Sequence, residues 1–377
     1  MRRKQLAFLI CFLFLALCPA PCRAAELDAM LDKQLDMVDL SEISGVIQGS
    51  SNGGVRGIDF PTLVSQAVRG ELNLSPQSIL QSLLLSLFGE ASTLLSMMRH
   101  MLLLSILGAV FKELSSSFQQ KAVSELGFYV HYLIILSILL SSFTICVGLM
   151  HSLVGELCSF MLAAQPLLAG LVTISGNPAA AFAFAPILLA GVNAIAFLIQ
   201  QIIVPVLTLA AALQIVNYLS ERAMLEKMST LLRNGVTWAL RMTAVLFAAI
   251  LSLQRITAPA VQTAASKTAK LAVNIIPIIG TTLTDTVDTV MAWAGVARSG
   301  MLVAIVIVLI LMCAVPLIEL AAFVVIYKLT ASLVQPVADA RVVKAIDAAG
   351  TFAGLILGAC TLVSVMFIFM VMIVLSV

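Results

Sequence analysis

Residues 301–318 read MLVAIVIVLILMCAVPLI, a run without one charged or amide side chain. A stretch of that length and uniformity is too long for a strand, and it matches the roughly 20 apolar residues that carry a helix across a hydrocarbon core about 30 Å thick. In such a medium every peptide group must find its partner inside the segment or in neighbouring protein, so helices are the default solution. The pattern recurs at 94–111, 129–150, 158–174, 181–199, 202–219, 236–253 and 351–375. Over the whole chain 61% of residues are hydrophobic and 11% charged, with a mean hydropathy of +1.10. Soluble domains carry about 25% charge. The expected fold class is therefore all-α: a polytopic membrane protein with about seven to nine transmembrane or re-entrant helices after a signal peptide. Residues 321–334, short and interrupted by Lys328, read as interfacial or re-entrant, and Arg99 and His100 leave a longer oblique helix over 79–114 as the alternative to a span at 94–111.

The N-terminus has another task. Arg2, Arg3 and Lys4 precede a short apolar core at 6–17, and Cys22-Arg23-Ala24 places small residues at the positions a signal peptidase reads. Cleavage after Ala24 is expected, with an uncleaved anchor of the same orientation as the alternative. This divides the chain into a signal peptide (1–24), an exported segment (25–77) and a multi-span membrane domain (78–377). Within the exported segment, Leu27, Leu31, Leu35 and Val38 alternate with four aspartates at helical spacing, residues 45–57 form a Gly/Ser linker, and Asp59 with Pro61 starts a second short helix over 58–70.

Orientation follows from charge. An exported N-terminus and the excess of Lys and Arg place residues 112–121 and 220–235 inside, where Met224, Leu225, Met228 and Leu232 would lay a helix along the cytoplasmic face. The formal charge of +2 is scattered, with no basic stripe to follow phosphates, so the bilayer is the expected partner and nucleic acid is not. Of seven cysteines, three lie near the N-terminus, and Cys146, Cys158, Cys313 and Cys360 sit singly in apolar runs as small hydrophobic side chains; a disulfide between Cys146 and Cys158 is the alternative.

No catalytic or metal signature stands out. There is no GxxxxGK[ST] loop, no HExxH and no GxSxG, and the three histidines fall on separate segments, which points to no catalytic residue, no metal, no cofactor and no enzyme. The informative polar residues lie inside apolar runs: Asn193 and Gln200 seven apart, Gln214 and Asn217 three apart, and the costlier Arg241, Glu319 and Lys328. Their functional reading is an ion or substrate path; helix–helix glue and snorkelling are the alternatives. Gly350, Gly354 and Gly358 at four-residue spacing form a face on which two helix backbones can approach closely, either with an internal neighbour or in a homo-oligomer. Residues 273–300 combine Asn274, Pro277 and Gly280 with Asp285 and Asp288 among threonines. A bent polar segment between spans needs shelter from lipid, which makes it a candidate functional centre. The two carboxylates would share a helix face and handle a cation or proton, or else cap a helix starting near Thr284.

Several local strings carry a family resemblance. Ile58-Asp59-Phe60, Arg69-Gly70-Glu71, Ala264-Ala265-Ser266-Lys267, Ile276-Pro277-Ile278-Ile279-Gly280, Asp285-Thr286-Val287-Asp288 and Ile326-Tyr327-Lys328, in this order after a signal peptide, resemble the stage III sporulation protein AE family of endospore-forming bacteria. The resemblance covers most of the mature chain, with 276–288 its most specific part. It implies a multi-pass protein of the mother-cell membrane surrounding the forespore, working in a channel or secretion-like complex needed for forespore development after engulfment. Its implied partners are other stage III sporulation membrane proteins, including ring-forming subunits and a motor ATPase. The alternative function is an autonomous secondary transporter for a small solute or ion, with Pro205 and Pro277 as the breaks of discontinuous helices.

Overall fold

The computed structural model describes residues 40–50, 59–69, 95–96, 98–111, 121–174, 190–219, 225–273 and 280–374, with the side chains of 121–126, 169–174, 250–251, 253–298 and 373–374 excepted. The described residues form helices α1 (Ser41–Gly49), α2 (Phe60–Arg69), α3 (Met98–Phe111), α4 (Lys121–Ile174), α5 (Ala190–Asn217), α6 (Glu226–Val273), α7 (Gly280–Val334) and α8 (Ala340–Val374). No strand occurs among them. The chain is an all-α membrane protein.

Four helices among the described residues are long and apolar enough to cross a bilayer: Gly127–Leu168 in α4, α5, Ser299–Val334 in α7 and Ala340–Met372 in α8. That is fewer than the seven to nine expected, chiefly because neighbouring runs merge. Runs 129–150 and 158–174 belong to one helix of 54 residues, since 151–157 offers no Pro-Gly or Asn-Gly turn and Gly155 sits in it without breaking it. Residues 321–334 are not re-entrant; they continue the helix of 301–318 through Pro316 in a single helix of 55 residues. Runs 181–199 and 202–219 meet in α5, whose ladder opens into a π turn at Ile199–Ile203 immediately before Pro205. Proline has no N–H to give and crowds the carbonyl four residues back, and a wider turn at that place relieves both without ending the helix. Residues 236–253 fall in α6 and are described in part, and the 94–111 run appears as the short apolar helix α3.

The core lies where α4, α7 and α8 meet. On α4 the buried positions Tyr132, Ile135, Leu139, Phe143, Cys146, Met150, Leu153, Leu157, Phe160 and Ala164 recur three or four apart, and on α8 Val342, Ala345, Ala349, Phe352, Ile356, Ala359, Val363, Met366 and Met370 do the same. An average near 3.5 residues keeps one seam of a long helix facing its partners. Helix α5 packs on α8 and α4, and α6 folds back along α5. The outer faces stay apolar: Leu107, Phe197, Ile202, Trp238, Val245, Leu329 and Leu333 are all more than half exposed, as lipid-facing side chains are.

Part of the expected linker is ordered. Ser41–Gly49 is helical, because Ile43 and Ile47 are fully buried against α4 and outweigh the glycines at 45 and 49. Ser50 extends this contact, its hydroxyl donating to the Glu156 carboxylate of α4 at 2.5 Å. Helix α2 begins at the expected signal: Leu63 N–H bonds the Asp59 carbonyl at 3.0 Å, and the Thr62 hydroxyl donates to the Asp59 carboxylate. It packs on α7 at Gly300, where a Cβ would sit 2.5 Å from the Val68 Cα, so this crossing requires glycine. The signal-peptide residues and the acidic helix expected at 27–38 lie outside the described residues.

Candidate functional site

At one end of the bundle the last turn of α5, the first turns of α6, the last turns of α7 and the start of α8 converge. Two local signals build this end. Asn217, 5% exposed, accepts the Leu225 N–H on its Oδ1 at 2.8 Å, closing the connection from α5 to α6. Asp339 opens α8 by accepting the Arg341 N–H at 2.9 Å, and its carboxylate also meets Arg341 Nε at 3.4 Å. The Arg341 guanidinium lies 3.7 Å from the centroid of the Phe128 ring on α4, a cation–π contact that fixes α8 to α4.

Deeper contacts lock the same end. Tyr132 donates to the Ile215 carbonyl at 2.6 Å, and the fully buried Ser229 donates to the Ala210 carbonyl at 3.0 Å. Gln214 Nε2 donates to the Tyr218 hydroxyl at 2.7 Å. Between α7 and α8, Lys328 Nζ reaches Asp347 Oδ1 at 2.7 Å, Thr351 Oγ1 at 2.8 Å and the Asp347 carbonyl at 3.1 Å. One residue earlier, Tyr327 and Ser142 of α4 share a buried hydroxyl–hydroxyl bond of 2.6 Å. Between these elements lies a half-open cavity of about 320 Å³, lined among others by Gln214, Tyr218, Arg233, Gln335, Lys344 and Asp347.

Several residues singled out in the sequence thus meet at one place. Gln214 lines the cavity, Lys328 holds its Asp347, and Asn217 caps the helix connection beside it. Others lie elsewhere. Gln200, in the π turn of α5, donates to the His151 carbonyl at 3.3 Å, while Asn193 Oδ1 is buried with no hydrogen-bond partner among the described residues. Arg241 is exposed on α6, and Glu319 is half-buried on α7. Gly350 is where α7 and α8 touch: a Cβ there would lie 3.0 Å from Tyr327 Cβ. A Cβ at Gly354 would lie 4.0 Å from Val324 Cγ1, and one at Gly358 would meet nothing within 4 Å among the described residues.

Asn274 and Pro277 lie outside the described residues. Helix α7 begins at Gly280 rather than near Thr284, so Asp285 and Asp288 fall beyond its first turn, where capping no longer applies. Arg233, Lys344, Asp347 and Thr351 were missed as site residues. The available signal was Pro336 with Asp339, a stop followed by a helix-start residue, which folds α8 back on α7 and brings Lys328 and Asp347 together. Among the described residues no group of three or more His, Cys, Asp or Glu is placed to hold a metal ion.

Residues 58–377 match the family described as stage III sporulation protein AE. The chain belongs to the stage III sporulation protein AE family. It is 29% identical over 329 residues to "Stage III sporulation protein AE" of Bacillus subtilis (strain 168), an alignment covering 87% of this chain and 80% of that relative. No solved structure matches the chain. Tyr327 and Lys328 supply two of the ties described above, one to α4 and one to α8, so their place in the fold is the clamp between the three core helices.

Proposed function

We propose that the chain is the membrane-embedded subunit of a channel or secretion-like complex between mother cell and forespore, placed in the mother-cell membrane around the forespore and required for its development after engulfment. Membership of a sporulation family supplies the process. The observation that carries the rest is the division of the bundle into an apolar exposed flank and one polar, cation-rich end with Lys227, Arg233, Arg341 and Lys344. Basic residues collect on the cytoplasmic side of membrane proteins, so this end faces the mother-cell cytoplasm. There it is available to a motor ATPase, while ring-forming subunits engage the opposite side. The sequence carries no nucleotide loop of its own, which fits a scaffold or conduit driven by another subunit.

The test is complementation of a null strain with tagged protein. The wild type should restore forespore development and co-purify with the ring-forming subunits and the ATPase. Asp285→Asn with Asp288→Asn should block development while the protein remains inserted, if the segment between the spans contacts cargo or partner. Proton- or ion-coupled uptake by the isolated chain in liposomes, abolished by the double substitution, would instead establish a secondary transporter.

A further inference from the structure

The 320 Å³ cavity has an unbalanced charge that the helix ties leave unused. Its one acidic lining residue, Asp347, is taken by Lys328 at 2.7 Å. Arg233 of α6 and Lys344 of α8 also line it, and among the described residues neither has an ion-pair partner. Two cations lining one half-open space repel each other unless an anion joins them. Gln214, Tyr218 and Gln335 add amide and hydroxyl donors around the same space, while the Ser332 hydroxyl donates to the Lys328 carbonyl.

We propose that this cavity binds a phosphate group, presented by the headgroup of an anionic phospholipid. Arg suits this work because its planar fork pairs two phosphate oxygens at once, and Lys adds a point charge. The volume lies at the lower end of the roughly 300–1,000 Å³ of small-ligand sites, which fits a headgroup and not a large solute. The surroundings name the source. Val325, Leu329 and Leu333, four apart on α7 and 53%, 51% and 56% exposed, form an apolar stripe flanked by Lys328 and by the cavity residue Ser332. An acyl chain lying on that stripe would hold its phosphate at the cavity mouth, whereas free phosphate has no use for it. Basic pockets between helix ends at the bilayer surface are where anionic headgroups dock.

The site rests on the cavity alone, so its failure would leave the sporulation reading untouched, and the reverse. Native mass spectrometry of the full chain in detergent should show retention of phosphatidylglycerol over phosphatidylcholine. Arg233→Gln with Lys344→Gln should lower that preference at least about tenfold, while Lys227→Gln, exposed on the same end and outside the cavity, should leave it unchanged. Melting in phosphatidylcholine nanodiscs controls for folding. If the double variant does not fold, Ser332→Trp, which fills the cavity from an exposed position and keeps both cations, should produce the same loss. Equal retention of the two lipids, or a preference that survives both variants, would overturn the proposal. Displacement by inorganic phosphate without any lipid preference would overturn the lipid source and assign the site to a soluble anion.

Discussion

Ser142 has one hydroxyl proton and two oxygens to satisfy, the Leu139 carbonyl at 3.1 Å and the Tyr327 hydroxyl at 2.6 Å. If the proton goes to the carbonyl, Tyr327 must be the donor in the shared bond. This pair is fully enclosed by apolar side chains, so neither oxygen can turn to water. Polar contacts between membrane helices are nonetheless modest, averaging about 0.6 kcal/mol and reaching about 1.7 kcal/mol, because the unassembled helix also finds partners in the membrane. Tyr327→Phe should therefore lower stability by about 1 kcal/mol, and Ser142→Ala by a similar amount. The double variant should cost less than the two together. A double-mutant cycle read from thermal melting in detergent checks this; strictly additive losses would mean that the two hydroxyls are not coupled. Lys328 and Asp347 form a different kind of tie. Both are about half exposed, with side chains at 43% and 53%, and contribute position more than energy.

At the scale of the helix, the glycine series shows what packing asks of each position. Helices α7 and α8 are closest at Gly350 and part by Gly358, so one spacing motif spans a tight crossing and an open one. Gly350→Leu should push Tyr327 and Lys328 aside and cost about 1–3 kcal/mol, the range of overpacked cores. Gly358→Leu should be close to neutral. Comparing folded yield and melting of the two variants is the measurement, and equal damage at both sites would place a second helix against Gly358. These elements also show what the sequence could reveal. One helix start was legible because its chemistry is local: Asp59 with Pro61 opens α2. Helix count was not. In a soluble helix the buried face is the apolar face, but on α4 the buried Leu139 and the exposed Val130 and Leu133 are equally apolar, so hydrophobicity carries no record of which side packs. For the same reason the 3.5-residue seam on α4 and α8 emerges only from the packed structure. Continuity through Pro316, and through Pro205 by way of the π turn, depends on neighbours that shelter the freed carbonyls. The candidate site was half legible: Gln214, Asn217 and Lys328 announced themselves as polar residues in apolar runs, whereas Arg233 and Lys344 looked like ordinary loop charges until the α7–α8 turn set them across one cavity.

Two sites at the scale of the bundle lie about the thickness of a bilayer apart. Tyr132, beside the cavity end, and Glu156, where Ser50 docks, are on the same helix, and the intervening 24 residues at about 1.5 Å each make roughly 36 Å. A hydrocarbon core of about 30 Å fits between them. Helix α1 therefore sits on the side opposite Arg233 and Lys344, the arrangement that the expected exported N-terminal segment and cytoplasmic α5–α6 connection would require. A single-cysteine test must use exposed positions. Ser229, although in the right connection, is fully buried and would resist any reagent from either side. Lys227 and Lys344 are exposed at the cavity end, and Gln48 is exposed on α1. With the four native cysteines of the described helices replaced, Gln48→Cys should react with a membrane-impermeant thiol reagent in intact cells, while Lys227→Cys and Lys344→Cys should react only after permeabilisation. Labelling of all three from outside would invert the bundle. Labelling of Lys344→Cys but not Lys227→Cys would separate two positions that the fold places at one end, and would overturn the packing of α8 against α5 and α6 itself.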